Sequence, residues 1–376
     1  MLIKLEKPKR RTLLPPIALC GLALMLLLFA SATGQTPTRP EDLPPPPAMP
    51  TPKPKPKPQP SPQEPDDSAY EVVRVSSNLV VVPVSVTDPA GQPVMGLTAS
   101  DFRLEEEGRQ QEIAQIGDPE AVPLDIAVLL DVSGSINARF AFEKEAASRF
   151  LKQVLKPVDR ATVFAIDKTP RLELARDTAE RAAARLVAID AAKGPTAFYD
   201  TVIEAALYLA STSPPQHRRV IVVISDGEDN YSERVKTLIG ATPEERQPMT
   251  AIDKWRINGR FLLEVQRQLQ KAEATFYSIN PSGEALRLNV ISKRSQDGME
   301  QLASATGGNS FVPERIENLE AVFRQIAAEL RSQYLLQYYS RDESPAGKFL
   351  RIRVSIPSRP QLRIRARQGY YSKRKQ

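Results

Sequence analysis

The stretch DIAVLLDVSGSIN, residues 125–137, joins an apolar run to a short polar turn. Residues 125–131 lack a polar face, which is typical of a strand that is covered on both sides. Three further runs share this character: ATVFAID at 161–167, RVIVVISD at 219–226 and ATFYSIN at 274–280.

Helical periodicity fills the spaces between these runs. Apolar stripes recur at 140–155, 197–210 and 316–330, and a further helix is predicted to end in the glycines of ATGG. Alternation of strands and helices predicts an α/β fold with a doubly wound, mainly parallel sheet covered by helices on both faces. We assign this central domain to residues 121–333.

Two segments that flank this domain, 70–120 and 334–376, have the alternation of β-strands. Neither segment holds enough strands for a stable sandwich, but together they do. The first segment carries 3 basic and 9 acidic residues, whereas residues 336–376 carry 11 basic and 2 acidic residues. We expect the two segments to co-fold into a small accessory β-sandwich, with two unrelated hairpins as the alternative.

The amino-terminal residues 1–32 are typical of an export signal. Basic residues precede an apolar run at 17–30, and Ala30-Ser31-Ala32 gives an A-x-A pattern. A retained membrane anchor is the alternative, although the apolar run is short for a bilayer span. Residues 33–69 are rich in proline, which predicts an extended, unfolded linker. We therefore expect an exported protein of the periplasm or cell envelope.

Cysteine content and charge exclude several classes of function. The only cysteine, Cys20, lies in the apolar run, so a cleaved chain would have neither a disulfide nor a thiolate metal site. Such an exported chain suits a bacterial envelope. Residues 121–335 hold 28 basic and 28 acidic residues, which argues against a nucleic-acid binder.

Oxygen-bearing side chains cluster where three predicted segments should meet. Asp131, Ser133 and Ser135 follow the first strand, Thr196 lies in KGPTAFYD, and Asp226 follows the VIVVIS strand. In a doubly wound sheet, such positions converge at the carboxyl edge. Two carboxylates and three hydroxyls suit a hard divalent cation such as Mg²⁺, which keeps waters readily. An ordinary helix N-cap by Ser133 or Ser135 is the simpler alternative.

The order of DVSGS, a later Thr and a later SDG closely resembles the metal-ion-dependent adhesion site (MIDAS) of von Willebrand factor type A (VWA) domains. The resemblance covers about residues 123–331. The wider pattern, with VTDPAGQPVMGLTASDF and a terminal RQGYY, resembles the VWA-related proteins of acidobacteria and similar bacteria. It implies Mg²⁺, or else Mn²⁺ or Ca²⁺, as the cofactor. It implies direct contacts to the metal from Ser133, Ser135 and Thr196, and supporting or water-mediated roles for Asp131 and Asp226.

Two features depart from the family pattern. Gly194-Pro195 precedes Thr196 where Gly-Gly is more usual, and the proline could stiffen this loop. A polar stretch at 234–260 follows SDGEDN, and we interpret it as a surface insertion with a short helix that starts near Ile252.

Three functions follow from these features. The first is a non-enzymatic binding module of the cell envelope, whose metal captures an Asp or Glu of a protein partner. The second is a scaffold with a purely structural metal site. The third is a Mg²⁺-dependent hydrolase, which is disfavoured because enzymes resembling haloacid dehalogenases need a second Asp where Ser133 stands. Ser-His-Asp catalysis is disfavoured because the only histidine, His217, is predicted to lie in an exposed loop.

Other acidic residues near the strand ends are given lesser roles. Glu228 and Asp229 are predicted to lie in a solvated loop, and Asp200 to cap or orient its own loop. Asp167 ends a predicted strand close to the site, where it could support the ligands but not bind metal.

Overall fold

The computed structural model describes residues 78–133, 138–192, 194–229, 231–232, 251–283 and 290–373. These residues lie in one compact unit, Val72–Gln376. The predictions for residues 1–32 and 33–69, for Ser135 and for most of the 234–260 insertion lie outside the described residues.

Within these ranges the chain forms fourteen strands and six α-helices. The strands are β1 (Leu79–Thr87), β2 (Arg103–Glu106), β3 (Arg109–Gln111), β4 (Gln115–Gly117), β5 (Leu124–Asp131), β6 (Arg160–Ile166), β7 (Pro170–Asp177), β8 (Arg218–Ile224), β9 (Ala274–Ile279), β10 (Ser310–Phe311), β11 (Tyr334–Tyr339), β12 (Phe349–Ser355), β13 (Arg363–Ala366) and β14 (Gly369–Tyr371). The helices are α1 (Ala138–Val154), α2 (Ala179–Val187), α3 (Phe198–Thr212), α4 (Ala251–Lys271), α5 (Val290–Thr306) and α6 (Leu319–Arg331).

The central sheet has the strand order β10–β9–β8–β5–β6–β7. All its pairs are parallel except for β7, which runs antiparallel to β6 at one edge. The four apolar runs of the sequence begin and end within two residues of β5, β6, β8 and β9. The predicted α/β fold with a mainly parallel sheet is therefore confirmed.

Alternate residues of β5 pack against different helices, which explains why the strand has no polar face. Ile126, Val128 and Leu130 face the cluster that includes α1, α2 and α6. Ala127 and Leu129 face the cluster formed with α3, α4 and α5. Each fully buried Leu, Ile or Val side chain stabilises the fold by about 1.5–3 kcal/mol. Within the described residues, no helix is both long enough and apolar enough to cross a bilayer.

Two elements of the central domain differ from the sequence prediction. The edge strand β7 was not predicted because its sequence, PRLELARD, mixes charged and apolar residues and is only partly buried. The helix predicted as a short one near Ile252 is α4, with 21 residues. Its length is explained by Phe261, Val265 and Leu269, which are buried at helical spacing and face the core.

Two glycines allow α5 to end against neighbouring backbone. Gly307 follows the last residue of α5 and has a φ of +84°, a conformation that favours glycine at a helix end. A Cβ on Gly308 would lie 2.0 Å from the carbonyl oxygen of Phe276. The glycine ending predicted from ATGG is therefore required by the close approach of this turn to β9.

The segments before and after the central domain form two four-stranded antiparallel sheets within the described residues. Their strand orders are β13–β1–β11–β4 and β14–β12–β2–β3, so each sheet combines strands from both segments. The sheets share one core, to which β1 contributes Val82, β2 contributes Leu104 and β12 contributes Leu350. The accessory β-sandwich is thus confirmed and the two separate hairpins are not. The exact domain boundaries stay predictions.

Charge complementarity contributes to the pairing of the two segments. Arg351 of β12 forms a salt bridge with Glu107, and Arg353 lies opposite Glu105 in the β2–β12 register. Both arginines are exposed, so such contacts fix register more than they stabilise the fold.

Buried and half-buried ion pairs fix the sandwich to the central domain. Arg365 of β13 lies 2.7 Å from Glu329 of α6, whose side chain is only 1% exposed. The Arg367 guanidinium lies 3.2 Å from Glu273, which follows α4. Removing one partner of such a pair leaves an uncompensated charge in a poorly solvated site.

Candidate metal centre

The carboxyl edge of the central sheet brings the predicted ligand segments together. In the parallel register, Asp131 lies opposite Ile166 of β6, and Leu130 lies opposite Ile224 of β8. The three strands therefore end level with one another. Because the chain reaches β6 and β8 on opposite sides of β5, this edge contains the topological switch point at which such sheets bind ligands.

Asp131 is held in place by two hydrogen bonds. Its Oδ1 accepts from the Ser133 backbone N–H at 3.0 Å, and its Oδ2 accepts from the Ser225 hydroxyl at 2.7 Å. Ser225 is 1% exposed, and its Oγ in turn accepts from the Gly227 N–H at 3.0 Å. Ser225 is a positioning residue that the sequence analysis missed, although its place between an apolar strand and Asp-Gly is a detectable signal.

Asp226 lies in the loop after β8. Its Oδ1 accepts from the Glu228 backbone N–H at 3.0 Å. Burial raises the pKa of Asp226, the hydrogen bond from Glu228 lowers it, and the negative charge of Asp131 raises it again. The two predicted acidic ligands are thus close enough to repel each other.

Thr196 is tied to the same loop. Its side-chain hydroxyl donates to the Glu228 carbonyl at 2.8 Å, and its own carbonyl accepts from the Tyr231 N–H at 3.0 Å. Thr196 is 4% exposed. Since the hydroxyl hydrogen is directed to Glu228, the oxygen lone pairs are the part of the group that a cation can meet. The structure therefore brings Thr196 and Asp226 together, and Pro195 does not prevent this.

Asp229 does not lie in a solvated loop, so that prediction was wrong. The residue is half-buried, and its carboxylate accepts from the backbone N–H groups of Tyr199, at 2.7 Å, and Ser232, at 3.1 Å. Burial raises the pKa of Asp229, and the Ser232 hydroxyl lowers it. Because Tyr199 lies in the first turn of α3, Asp229 fixes the loop after β8 to the start of that helix.

Glu228 and Asp167 accept hydrogen bonds close to the predicted ligands. The Glu228 carboxylate accepts from the Ser292 hydroxyl at 2.8 Å. The Asp167 side chain accepts from Arg171 at 2.7 Å, and its backbone carbonyl accepts from the Ala197 N–H at 2.9 Å. Asp167 therefore anchors the Thr196 loop through its backbone.

A third carboxyl group adds to the negative potential near the end of β5. Glu143 of α1 is 8% exposed and lies 3.5 Å from Arg139. The pKa of Glu143 is raised to about 7. Burial is the main cause, Arg139 lowers the pKa, and the negative charge of Asp131 raises it. A cation at this edge would relieve the repulsion of Asp131 by Asp226 and by Glu143.

The chemistry of the donor set suits a hard divalent cation. Within the described residues, no group of three or more His, Cys, Asp or Glu side chains could hold a metal ion by itself. A site here would need hydroxyl oxygens and waters beside the carboxylates, as Mg²⁺ accepts. Ser133 is half-buried next to Asp131, whereas Ser135 lies outside the described residues.

His217 was predicted to be exposed, and this is wrong. Its side chain is 11% exposed, and its Nδ1 lies 3.4 Å from Oδ1 of the buried Asp125. Both residues lie at the amino edge of the sheet, whereas Ser133 lies beyond the carboxyl edge. The residue therefore packs against β5 and lies far from the hydroxyls of the candidate site.

The match to a sequence family coincides with this part of the fold. Residues 126–228, from β5 to the loop after β8, match the family model of the von Willebrand factor type A domain. The chain contains a VWA domain. The matched segment includes Asp131, Ser133, Thr196 and Asp226.

Solved structures with similar folds include VWA proteins. A von Willebrand factor type A protein from Catenulispora acidiphila is 16% identical, with a TM-score of 0.41, over 69% of this chain and 51% of that one. Proximal thread matrix protein 1 of the mussel byssus, with a zinc-occupied MIDAS motif, is 13% identical, with a TM-score of 0.41, over 60% of this chain and 50% of that one.

An aerotolerance-related membrane protein from Bacteroides fragilis is 18% identical, with a TM-score of 0.37, over 55% of this chain and 98% of that one. This chain spans about half the length of the Catenulispora and mussel proteins that it matches. A search of curated proteins gives no match.

Proposed function

We propose that this protein is an exported, non-enzymatic binding module whose VWA domain captures an acidic residue of a protein partner through a divalent cation. The ligand set is Asp131, Ser133, Ser135, Thr196 and Asp226. The observation that carries the proposal is the hydrogen-bonded network at the carboxyl edge, in which Ser225 positions Asp131 and the backbone of Glu228 joins Asp226 to Thr196.

Each part of this network has a role in binding. Ser225 and the Ser133 N–H hold the Asp131 carboxylate in one orientation, so little side-chain entropy is lost when a ligand binds. Asp229 fixes the loop that carries Asp226 to α3. A bound Mg²⁺ or Mn²⁺ would act as a Lewis acid and could accept a carboxylate oxygen of the partner as a ligand.

Placement at the cell envelope is part of the proposal. Residues 1–32 would direct export or anchor the chain in the inner membrane, and the proline-rich residues 33–69 would act as a spacer. The accessory β-sandwich, joined to α6 by the Glu329–Arg365 pair, would give the VWA domain a rigid base.

Manganese binding provides the test, because bound Mn²⁺ is visible by electron paramagnetic resonance and accelerates water proton relaxation. We expect one strong Mn²⁺ site in the chain that lacks residues 1–32, and at least a tenfold loss of affinity in Asp131→Ala. Asp167→Ala is the matched control, since Asp167 ends the neighbouring strand and should leave affinity within about twofold.

The open coordination position is tested by adding a peptide to the manganese-loaded protein. A short glutamate-containing peptide should displace metal-bound water and lower the relaxation rate, whereas the same peptide with glutamine should not. Strong Mn²⁺ binding without a peptide effect would instead support the purely structural metal site. Equal Mn²⁺ binding by wild type and Asp131→Ala would refute the ligand set.

A further inference from the structure

A large cavity lies at the opposite edge of the sheet from the candidate metal centre. It has a volume of about 800 Å³, within the range of sites that bind small organic ligands. The VWA domain contributes Arg218, Arg219 and Thr275 to its wall, and the sandwich contributes Leu335, Arg367 and Tyr370. The cavity is therefore formed jointly by the two folded parts of the compact unit.

Cationic side chains predominate in the wall of this cavity. Arg218, Arg219, Arg367 and Lys373 line it, against the carboxylates of Glu273 and Asp342. Glu273 already contacts both Arg367, at 3.2 Å, and Lys373. The wall of the cavity therefore holds four cationic and two acidic side chains.

The two arginines at the start of β8 are oriented by neutral groups. Arg218 donates to the carbonyls of Leu330, at 2.8 Å, and Pro119, at 2.7 Å. Arg219 donates to the carbonyls of Ala272, at 3.1 Å, and Ser213, at 3.2 Å. Carbonyl oxygens fix the guanidinium groups without cancelling their charge. Within the described residues, neither arginine forms a salt bridge.

Unsatisfied donors accompany this positive charge. The Nε atoms of Arg218, Arg219 and Arg367 are buried and have no hydrogen-bond partner among the described residues. Arg367 is itself only 9% exposed. Because these Nε atoms are buried, the arginine side chains would have to shift before the atoms could reach an anion in the cavity. Such a pairing would recover the cost of about 1–3 kcal/mol that a buried donor without an acceptor carries.

The rest of the wall is apolar and would receive the body of a ligand. Leu79, Val80, Pro83, Leu335 and Leu350 line the cavity together with the Tyr370 ring. Of the apolar lining residues, Leu79 is exposed and Pro83 and Val122 are half-buried, whereas Leu335 and Leu350 are buried. An inorganic anion alone would leave Leu79, Pro83 and Val122 in contact with water. The wall therefore favours a molecule that combines an acidic group with an apolar portion.

We infer that this cavity is a second binding site, for a small organic acid with an apolar body. The carboxylate would lie near Arg218, Arg219 and Arg367, and the apolar part would lie against Leu79 and Pro83. The site is independent of the proposed metal centre, because the length of β8 separates them by about 20 Å.

The test uses 4-phenylbutyrate as the probe and isothermal titration calorimetry of the chain that lacks residues 1–32. We expect saturable 1:1 binding that weakens with added salt. The neutral analogue 4-phenylbutanamide should bind at least tenfold more weakly, since it lacks the charge that the arginines recognise. Inorganic phosphate should bind more weakly than the acid, because it makes no apolar contacts.

Two variants locate the binding. Leu79 is 46% exposed at the cavity wall, so Leu79→Glu should keep the fold, confirmed by circular dichroism, and weaken phenylbutyrate binding at least tenfold. Met95 is 64% exposed and does not line the cavity, so Met95→Glu is the matched control and should bind as wild type does. Asp131→Ala should also bind phenylbutyrate normally, which separates this site from the metal centre.

Three results would overturn the inference. The first is the absence of saturable phenylbutyrate binding, and the second is equal affinity for the acid and the amide. The third is an equal loss of phenylbutyrate affinity in Leu79→Glu and Met95→Glu. The probe would then bind elsewhere, or would respond only to the net charge of the protein.

Discussion

The two edges of the central sheet use charged side chains in opposite ways. At the carboxyl edge, Asp131 and Asp226 repel each other, and within the described residues neither forms a salt bridge. Near the amino edge, Glu273 and Glu329 pair with Arg367 and Arg365 of the sandwich. The same fold therefore contains carboxylates that hold its parts together and carboxylates that, in the part of the chain that the structure describes, have no salt-bridge partner. We take the second arrangement as the signature of a ligand site.

The largest expected effect is at the amino edge. Glu329→Ala would leave the half-buried Arg365 without its counter-charge, and we expect the free energy of unfolding to fall by about 3 kcal/mol or more. Urea denaturation followed by circular dichroism measures this change. Glu317→Ala is the control, since Glu317 is exposed and pairs with the exposed Arg315. Equal effects of the two substitutions would show that the buried pair is not a structural contact.

The next effect concerns the metal at the carboxyl edge. Mg²⁺ at one hundred times its dissociation constant should raise the free energy of unfolding by about 2.7 kcal/mol if it binds the folded state alone. The gain should vanish in Asp131→Ala and persist in Asp167→Ala. The measurement is urea denaturation with and without Mg²⁺. A gain of the same size in Asp131→Ala would place the cation elsewhere.

Lowering the pH should destabilise the fold by protonating Glu273 near the amino edge. Burial alone would raise its pKa, but the charges of Arg367 and Lys373 lower the pKa to about 2. A carboxyl group with a depressed pKa contributes stability that is complete above the unfolded pKa of about 4.3 and is lost as the pH falls toward the folded value. Between about pH 6 and pH 2.5, wild type should lose on the order of 2 kcal/mol more than Glu273→Gln.

This comparison is made by urea denaturation at a series of pH values. Other acidic residues titrate equally in both proteins, so the difference between the two curves reports Glu273. Parallel curves over the whole range would contradict the assignment of this ion pair.

The smallest effect is a gain in stability at the carboxyl edge. A group whose folded pKa is raised destabilises the fold once it ionises, so the charge of Asp226 opposes folding above its unfolded pKa. Without metal, Asp226→Asn should therefore raise the free energy of unfolding at neutral pH. The same variant should lose the stabilisation by Mg²⁺. A metal-free variant that is less stable than wild type would mean that Asp226 is structural.

The sequence predicts the central strands well because each is buried on both faces, so composition alone marks them. The sequence does not reveal β7, because this edge strand is partly exposed to solvent and contains both charged and apolar residues. It predicts the co-folding of the flanking segments from strand number and charge, since neither segment can complete a sandwich alone.

The candidate site is predicted less completely. Asp131, Thr196 and Asp226 follow from strand ends, but Ser225 and Asp229 act through hydrogen bonds that depend on the conformation of the loop after β8. The burial of His217 depends on its packing against Asp125, far away in sequence. The cavity joins Arg218 to Arg367, and only the assembled sandwich brings such distant residues together.

The position of a bound metal in a crystal tests the proposed metal site most directly. Anomalous diffraction from crystals soaked in Mn²⁺ should show one strong peak at the carboxyl edge, within a coordination sphere of the oxygens of Ser133, Ser135 and Thr196, with Asp131 and Asp226 bound directly or through water. A soaked crystal with no peak at this edge, or with its strong peak elsewhere, would contradict the proposal that these residues form a metal-dependent binding site.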